Sequence, residues 1–220
     1  FTDNCPGATI AVTAGLPSGD PFPVGTTTNT FVVTDAAGNA ATCTFDVTVN
    51  DNENPTIVCP APVAVNNDAG VCGATVNFTV GTNDNCPGSV LTQTGGLASG
   101  SVFPSGTTSN EFLLTDASGN TATCSFTVSV TDSEAPVIVC PPSVTVANDT
   151  GLCSAVVLFS TPTATDNCPG LAITQIGGLA SGSTFPLGVT TNTFVAVDSS
   201  GNTDTCSFTV TVQDQELPVI

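Results

Sequence analysis

Cys124-Ser125-Phe126-Thr127-Val128-Ser129-Val130 alternates apolar residues with small polar ones, position by position. A period of two places successive side chains on opposite faces of an extended chain, so this stretch predicts a strand with one face buried. Cys72, Ala74, Val76, Phe78 and Val80 alternate in the same way with Gly73, Thr75, Asn77 and Thr79, and predict a second such strand. Thr and Val suit a pleated, half-buried surface. Clusters of Gly, Pro, Asn and Asp between these stretches supply the turns. No stretch carries a helical period. Short strands punctuated by turns predict an all-β chain of immunoglobulin or fibronectin-III-like sandwiches.

Working outward from Cys124, the pattern returns. Cys-x-Phe recurs at Cys43, Cys124 and Cys206. Asp-Asn-Cys-Pro-Gly occurs at Asp3–Gly7, Asp84–Gly88 and Asp166–Gly170, and Phe-Pro-x-Gly at Phe22–Gly25, Phe103–Gly106 and Phe185–Gly188. Asp-x-x-Gly-Asn occurs at Asp35–Asn39, Asp116–Asn120 and Asp198–Asn202. Every motif steps by 81 residues and then by 82, so the chain is a tandem array. The expected organisation is a partial repeat over 1–54, repeats over 55–135 and 136–217, and the start of another over 218–220. The first repeat has no counterpart of Val58–Gly81, so it is expected not to complete its own sandwich, with the polypeptide continuing on both sides.

These motifs, with Pro-x-Ile-x-Cys-Pro at the start of each full repeat, resemble the hyalin repeat (HYR) family over the whole chain. The resemblance implies a sandwich similar to fibronectin type III and immunoglobulin domains. It also implies a place in large extracellular adhesion proteins, including giant repetitive surface proteins of bacteria, and no catalytic activity.

Composition excludes several functions directly. The chain has 18 acidic residues and no Lys, Arg or His, a formal net charge of −18. Nothing can neutralise phosphates, which excludes nucleic acid as a partner, and an anionic membrane surface would repel the chain. No apolar run approaches the roughly 20 residues needed to span a bilayer. The first residues lack a basic segment followed by an apolar one, so no signal peptide is expected within this window. A hydrophobic fraction of 40% still provides a core. Ser and Cys nucleophiles would lack a His or Lys base, and small sandwiches offer no obvious deep cleft for paired carboxylates. An enzyme is therefore not expected.

The carboxylates are placed in register. Fourteen of the 18 recur: Asp3/Asp84/Asp166, Asp35/Asp116/Asp198, Asp51/Asp132/Asp214, Glu53/Glu134/Glu216 and Asp68/Asp149. The Asp116–Asn120 turn joins the strand near Glu111–Thr115 to the one near Thr121–Thr131, so it lies at the end facing the preceding repeat. In an immunoglobulin-type order the Asn83–Gly88 loop lies at that end too, and the linker Asp51–Pro55 arrives there. Asp51, Glu53, Asp84, Asp116 and Asn120 are therefore expected to converge at one junction, and Asp132, Glu134, Asp166, Asp198 and Asn202 at the next. Hard oxygen ligands in this number suit Ca²⁺, which takes 6–8 oxygens, and the linker resembles the Asp/Asn-rich calcium linkers of cadherins. The same residues are also good hairpin-turn chemistry.

Ten cysteines with no histidine and no C-x-x-C spacing predict disulfides and an oxidising compartment. Of a complete repeat's four, Cys59 lies in the first strand and Cys124 near the start of the last. Such strands are neighbours in many sandwiches, so Cys59–Cys124 and its counterpart Cys140–Cys206 are expected. The family resemblance agrees, since some members keep only that pair. Elimination leaves Cys72 with Cys86, and Cys153 with Cys168. A full strand starting at Cys72 would carry Cys86 beyond the roughly 7 Å reach of a disulfide. Either that strand is short and the Asp-Asn-Cys segment folds back, or Cys72 bonds Cys168 of the next repeat; the bond within the repeat is the expectation. Cys5 and Cys43 are expected to have partners upstream.

Two functions fit these readings. In one, the repeats form the shaft of a long extracellular protein or filament, with neighbouring repeats, and filament bundling, as partners. In the other, the repeats are themselves a protein- or glycan-binding adhesive module. Aromatic residues are 5%, all Phe, without the Trp or Tyr that stack on sugars or anchor interfaces, which favours the shaft.

Overall fold

The computed structural model describes residues 1–218; of the expected next-repeat start at 218–220, residues 219 and 220 lie outside the described residues. Among the described residues every regular element is a strand. The first repeat contributes β1 (Thr9–Ala14), β2 (Gly25–Thr34) and β3 (Ala40–Val49). The middle repeat contributes β4 (Thr56–Val58), β5 (Val63–Asn66), β6 (Gly73–Thr75), β7 (Gly81–Asn83), β8 (Val90–Gly95), β9 (Val102–Pro104), β10 (Gly106–Thr115) and β11 (Thr121–Thr131). The last contributes β12 (Val137–Val139), β13 (Val144–Ala147), β14 (Ser154–Val156), β15 (Thr163–Thr165), β16 (Ala172–Gly177), β17 (Thr184–Pro186), β18 (Gly188–Val197) and β19 (Thr203–Gln213).

The chain divides into two compact units, one of residues 1–58, 81–92 and 112–124, the other of 59–80, 93–111 and 125–220. The last repeat lies wholly in the second unit. Its main sheet has the order β13-β19-β18-β16, with β12-β15 and β14-β17 as two-stranded ladders. β13 runs parallel to β19, Val144 opposite Val210, and β18 runs antiparallel to β19, Phe194 opposite Cys206. Inward residues fill the space between: Phe185, Ala196 and Val210 are fully buried, with Ile138, Ala155, Val157, Phe194, Phe208 and Val212 around them. The Phe159 ring packs edge-on against Phe208 with centroids 4.9 Å apart.

Also in the second unit, β5 runs parallel to the end of β11, β6 pairs with β9, and Phe78 packs edge-on against Phe126. The expected strand over Cys72–Val80 is cut to β6. Alternation persists in the side chains, since Ala74 and Val76 are buried, but the backbone beyond Thr75 has no neighbouring strand. The 98–101 turn serves it instead. Val76 N–H donates to the Ser101 carbonyl, Gly100 N–H to the Val76 carbonyl, and the Ser99 hydroxyl bonds both polar groups of Phe78's backbone.

In the first unit, β1-β2-β3 form one sheet and β4 pairs with β7. Phe45 there is 50% exposed, whereas its register equivalents Phe126 and Phe208 are each 4% exposed. Among the described residues no second layer of the first repeat covers its sheet.

One buried polar device recurs in every repeat. Asn29, Asn110 and Asn192 are 1%, 0% and 0% exposed, and the side-chain oxygen of each accepts the N–H of Leu16, Leu97 or Leu179 at 2.8–2.9 Å. Gly178, at φ +84°, lies against Asn192 so closely that a Cβ there would collide with the amide. Glycine is needed at that corner for both its backbone angle and its size.

Candidate metal centres at the repeat junctions

Each junction gathers three carboxylates from three chain segments. Asp51 follows β3 in the linker, Asp84 follows β7, and Asp116 follows β10; one carboxylate oxygen from each lies within 4.8 Å of the others. This set lies in the first unit. Asp132 after β11, Asp166 after β15 and Asp198 after β18 form the equivalent set in the second unit.

The turn carboxylate is fixed most firmly. Asp116 Oδ1 accepts the N–H groups of Ser118 and Asn120 at 2.9 and 2.7 Å, and Oδ2 accepts Asn120 Nδ2 at 2.7 Å. Asp198 repeats these bonds with Ser200 and Asn202 at 2.8, 2.8 and 2.7 Å. Both residues are 6% exposed. Burial works against the charge of each, but the bonds from Asn120 or Asn202 and the turn N–H groups outweigh it and hold the pKa below the ordinary carboxylate value. Asn120 Nδ2 also donates to the Asp51 carbonyl at 3.1 Å, and Asn202 Nδ2 to the Asp132 carbonyl at 3.1 Å. The Asn of Asp-x-x-Gly-Asn thus ties linker to turn.

The linker carboxylates are less satisfied. Asp51 and Asp132 each accept one bond through Oδ1, from the N–H of Glu53 and Glu134. The Ser200 hydroxyl reaches Asp132 Oδ2 at 3.5 Å. Asp51 Oδ2, both carboxylate oxygens of Asp84, Asp166 Oδ1 and Asn167 Oδ1 are buried without a hydrogen-bond partner. Buried charged oxygens are costly unless paired, and the sequence contains no cationic side chain to pair with them. Two oxygens on opposite sides of a Ca²⁺ ion would be about 4.6–5.2 Å apart, so donor oxygens within 4.8 Å of one another are compatible with a shared ion. The donor set and the orphaned oxygens fit a hard divalent cation.

The glutamates do not join these sets. Glu134 Oε2 accepts the Gly70 N–H at 2.7 Å and Asn67 Nδ2 at 3.4 Å, holding the linker against the 67–73 loop. Glu216 accepts the Gly151 N–H likewise, and Glu53 accepts Asn85 Nδ2 at 3.1 Å. Asp68 and Asp149 brace the same loop, accepting the N–H of Thr75 and Val156. The glutamates share the aspartates' register and lie in the linkers, and in the structure their carboxylates accept bonds from Gly70, Asn85 and Gly151. Patterning did not single out Ser200, Asn167 or the buried asparagines. Asn167 sits in the recurring Asp-Asn-Cys-Pro-Gly motif, and the buried asparagines leave a trace as Gly-x-Thr-x-Asn at Gly25–Asn29, Gly106–Asn110 and Gly188–Asn192.

The cysteines require one correction. Cys140 bonds Cys206, as expected, and Cys59 and Cys124 are both disulfide-bonded. Cys72 does not pair with Cys86. It bonds Cys168 of the following repeat, with Cα atoms 4.8 Å apart and 96 residues between them in sequence. Cys72 precedes β6, at the end that meets the next repeat's loop. Cys86 and Cys153 are free thiols, so the expected Cys153–Cys168 bond is also absent. The Cys86 thiol's pKa is raised, by the adjacent Asp51 carboxylate first, then by burial and the charges of Asp51, Asp84 and Asp116.

The HYR domain model matches residues 1–49, 50–130 and 131–212. The chain belongs to the HYR domain family. Hyalin of Strongylocentrotus purpuratus is 38% identical over 208 residues, covering 91% of this chain and 17% of that protein. Hyalin of Lytechinus variegatus is 34% identical over 215 residues, covering 92% and 40%. The serine-rich adhesin for platelets of Staphylococcus aureus is 32% identical over 154 residues, covering 59% of this chain and 7% of the adhesin. The chain therefore spans well under half the length of these relatives. Solved chains that overlap it loosely include Drosophila N-cadherin EC1-3, at 13% identity over 97% of this chain and 91% of that one with a TM-score of 0.38. Mouse cadherin-23 EC22-24 overlaps at 17% identity over 87% and 75%, with a TM-score of 0.36. This HYR segment is an extracellular or cell-surface repeat chain of a non-enzymatic family. Among its described residues no helix is long and apolar enough to cross a membrane.

Proposed function

We propose that this HYR segment is part of the shaft of an adhesive surface protein or filament, and that its junctions are stiffened by Ca²⁺ held between repeats. The observation that carries this reading is the convergence of three carboxylates per junction, with buried unpartnered oxygens and no cationic side chain anywhere in the chain. Asp51, Asp84 and Asp116 would hold one ion, and Asp132, Asp166 and Asp198 the other. Each ion would join a linker to two loops of the repeat that follows, restricting the hinge. The expected repeat boundaries near residues 54 and 135 belong to this proposal.

A Glu-specific protease tests it, because Glu53 and Glu134 lie in the linkers. With millimolar Ca²⁺ both sites should resist cutting, and excess chelator should speed cleavage at both. Asp132→Asn should abolish the Ca²⁺ protection at Glu134 and leave that at Glu53. Equal cleavage rates with Ca²⁺ and with chelator would refute the reading.

A further inference from the structure

The two junctions share one carboxylate geometry, and within this chain only the second contains both cysteines of a staple, since the repeat register places the counterpart of Cys72 for Cys86 before Phe1. At the second, the Asp166-Asn167-Cys168 loop is stapled to the preceding repeat through Cys72. Asn167 Nδ2 adds a hydrogen bond to the Val71 carbonyl at 3.1 Å, beside the staple. There Cys168 is buried and its N–H donates to Asp166 Oδ2 at 3.0 Å, orienting the carboxylate through the same short loop. At the first junction Cys86 is a half-buried free thiol, and both oxygens of Asp84 are buried with no partner.

We propose that Cys72 and Cys168 are positioning residues for the second cation site, so that the oxidised staple tightens divalent-cation binding there and the bound cation in turn protects the staple from reduction. The inference rests on the metal reading given above. A loop held at Cys168 loses less freedom when Asp166 closes on an ion, because part of that ordering is already imposed by the disulfide. Linkage makes the effect reciprocal: whatever factor the staple adds to cation affinity, the cation adds to the staple's resistance. Reduction transfers two electrons and two protons from a dithiol to the Cys72–Cys168 bond. It leaves two thiols here and a cyclic disulfide on the reductant, and releases the loop from the preceding repeat.

The test is a calorimetric Ca²⁺ titration of the oxidised chain. Two sites of unequal affinity are expected, separated by about fivefold or more, the lower end of ordinary coupling. Asp132→Asn should remove the tighter class and Asp51→Asn the weaker. Cys72→Ser, which leaves Cys140–Cys206 in place, should bring the tighter site down to the weaker. As a second measurement, the unmodified chain is titrated with dithiol and its thiols are mapped by alkylation and mass spectrometry. Ca²⁺ should make Cys72–Cys168 harder to reduce by the same factor. Two sites of equal affinity, or unequal sites unmoved by Cys72→Ser together with a staple whose reduction ignores Ca²⁺, would overturn this inference and leave the metal reading standing. No uptake at either junction would overturn both.

Discussion

Asp116 and Asp198 are held as anions by their own turns, whatever else binds them. Each collects two backbone N–H groups and an Asn amide. Their pKa values are lowered in the folded state. Such a group contributes stability that is present above the unfolded value, about 3.9, and lost as pH falls through the folded value. In chelator, the urea midpoint should therefore fall below about pH 4, and Asp198→Asn should flatten that fall. A midpoint that already drops near pH 6 in the unmodified chain would contradict this. The buried asparagines give a prediction independent of charge. Asn192 accepts from Leu179 N–H and from Gln175 Nε2 at 3.1 Å. Asn192→Ala leaves that buried N–H without an acceptor and should cost about 1–3 kcal/mol in urea unfolding. A cost near zero would mean that water replaces the amide.

At the scale of elements, two disulfides do different work. Cys140–Cys206 ties the end of the first strand to the last strand of one sandwich, across a separation of 66 residues. In the loop-entropy model its removal costs about 4 kcal/mol. Cys140→Ser with Cys206→Ser should lower the urea midpoint of the last repeat accordingly, and an unchanged midpoint would mean that the unfolded chain keeps this loop closed by other contacts. That pairing was legible in the sequence because Cys140 borders a short apolar strand and Cys206 opens the strongest alternation of the repeat. The carboxylate convergence was legible for a similar reason: strand direction decides at which end each turn emerges. Other features were hidden. Cys72–Val80 alternates as a strand does, but alternation reports only which side chains point inward. It cannot say whether the backbone finds a ladder or, as here, a Ser99 hydroxyl. Elimination within a repeat does not reach the Cys72–Cys168 bond, because it assumes that each repeat closes on itself. Glu134 shares the register of the aspartates and lies in the same linker as Asp132, and neither feature foretells that its carboxylate accepts the Gly70 N–H.

At the scale of the whole molecule, the proposed shaft must behave as a rod whose stiffness depends on its junctions. The linker from Asp132 to Pro136 is short, and Pro136 fixes its own φ. Its course is set by the Glu134 bond to Gly70 and by the Asn67 oxygen accepting Ser133 N–H at 3.0 Å, neither of which needs an ion. The last repeat holds its own outgoing linker the same way, through Glu216 to Gly151 and Asn148 to Gln215 at 3.1 Å. With linker direction fixed on one side, the proposed cation and the Cys72–Cys168 staple would need only to hold the loops of the following repeat on the other. A strand of 11 residues such as β11 extends about 36 Å at about 3.3 Å per residue. Small-angle scattering of a series with increasing numbers of repeats should then show the maximum dimension growing by about 35–45 Å for each added repeat in Ca²⁺. Chelation alone should shorten the longest members modestly, while chelation with reduction should turn linear growth into the slower growth of a flexible chain. Sublinear growth in Ca²⁺ with all disulfides intact would show free hinges at the junctions, and the shaft reading would fail even if the ions bind.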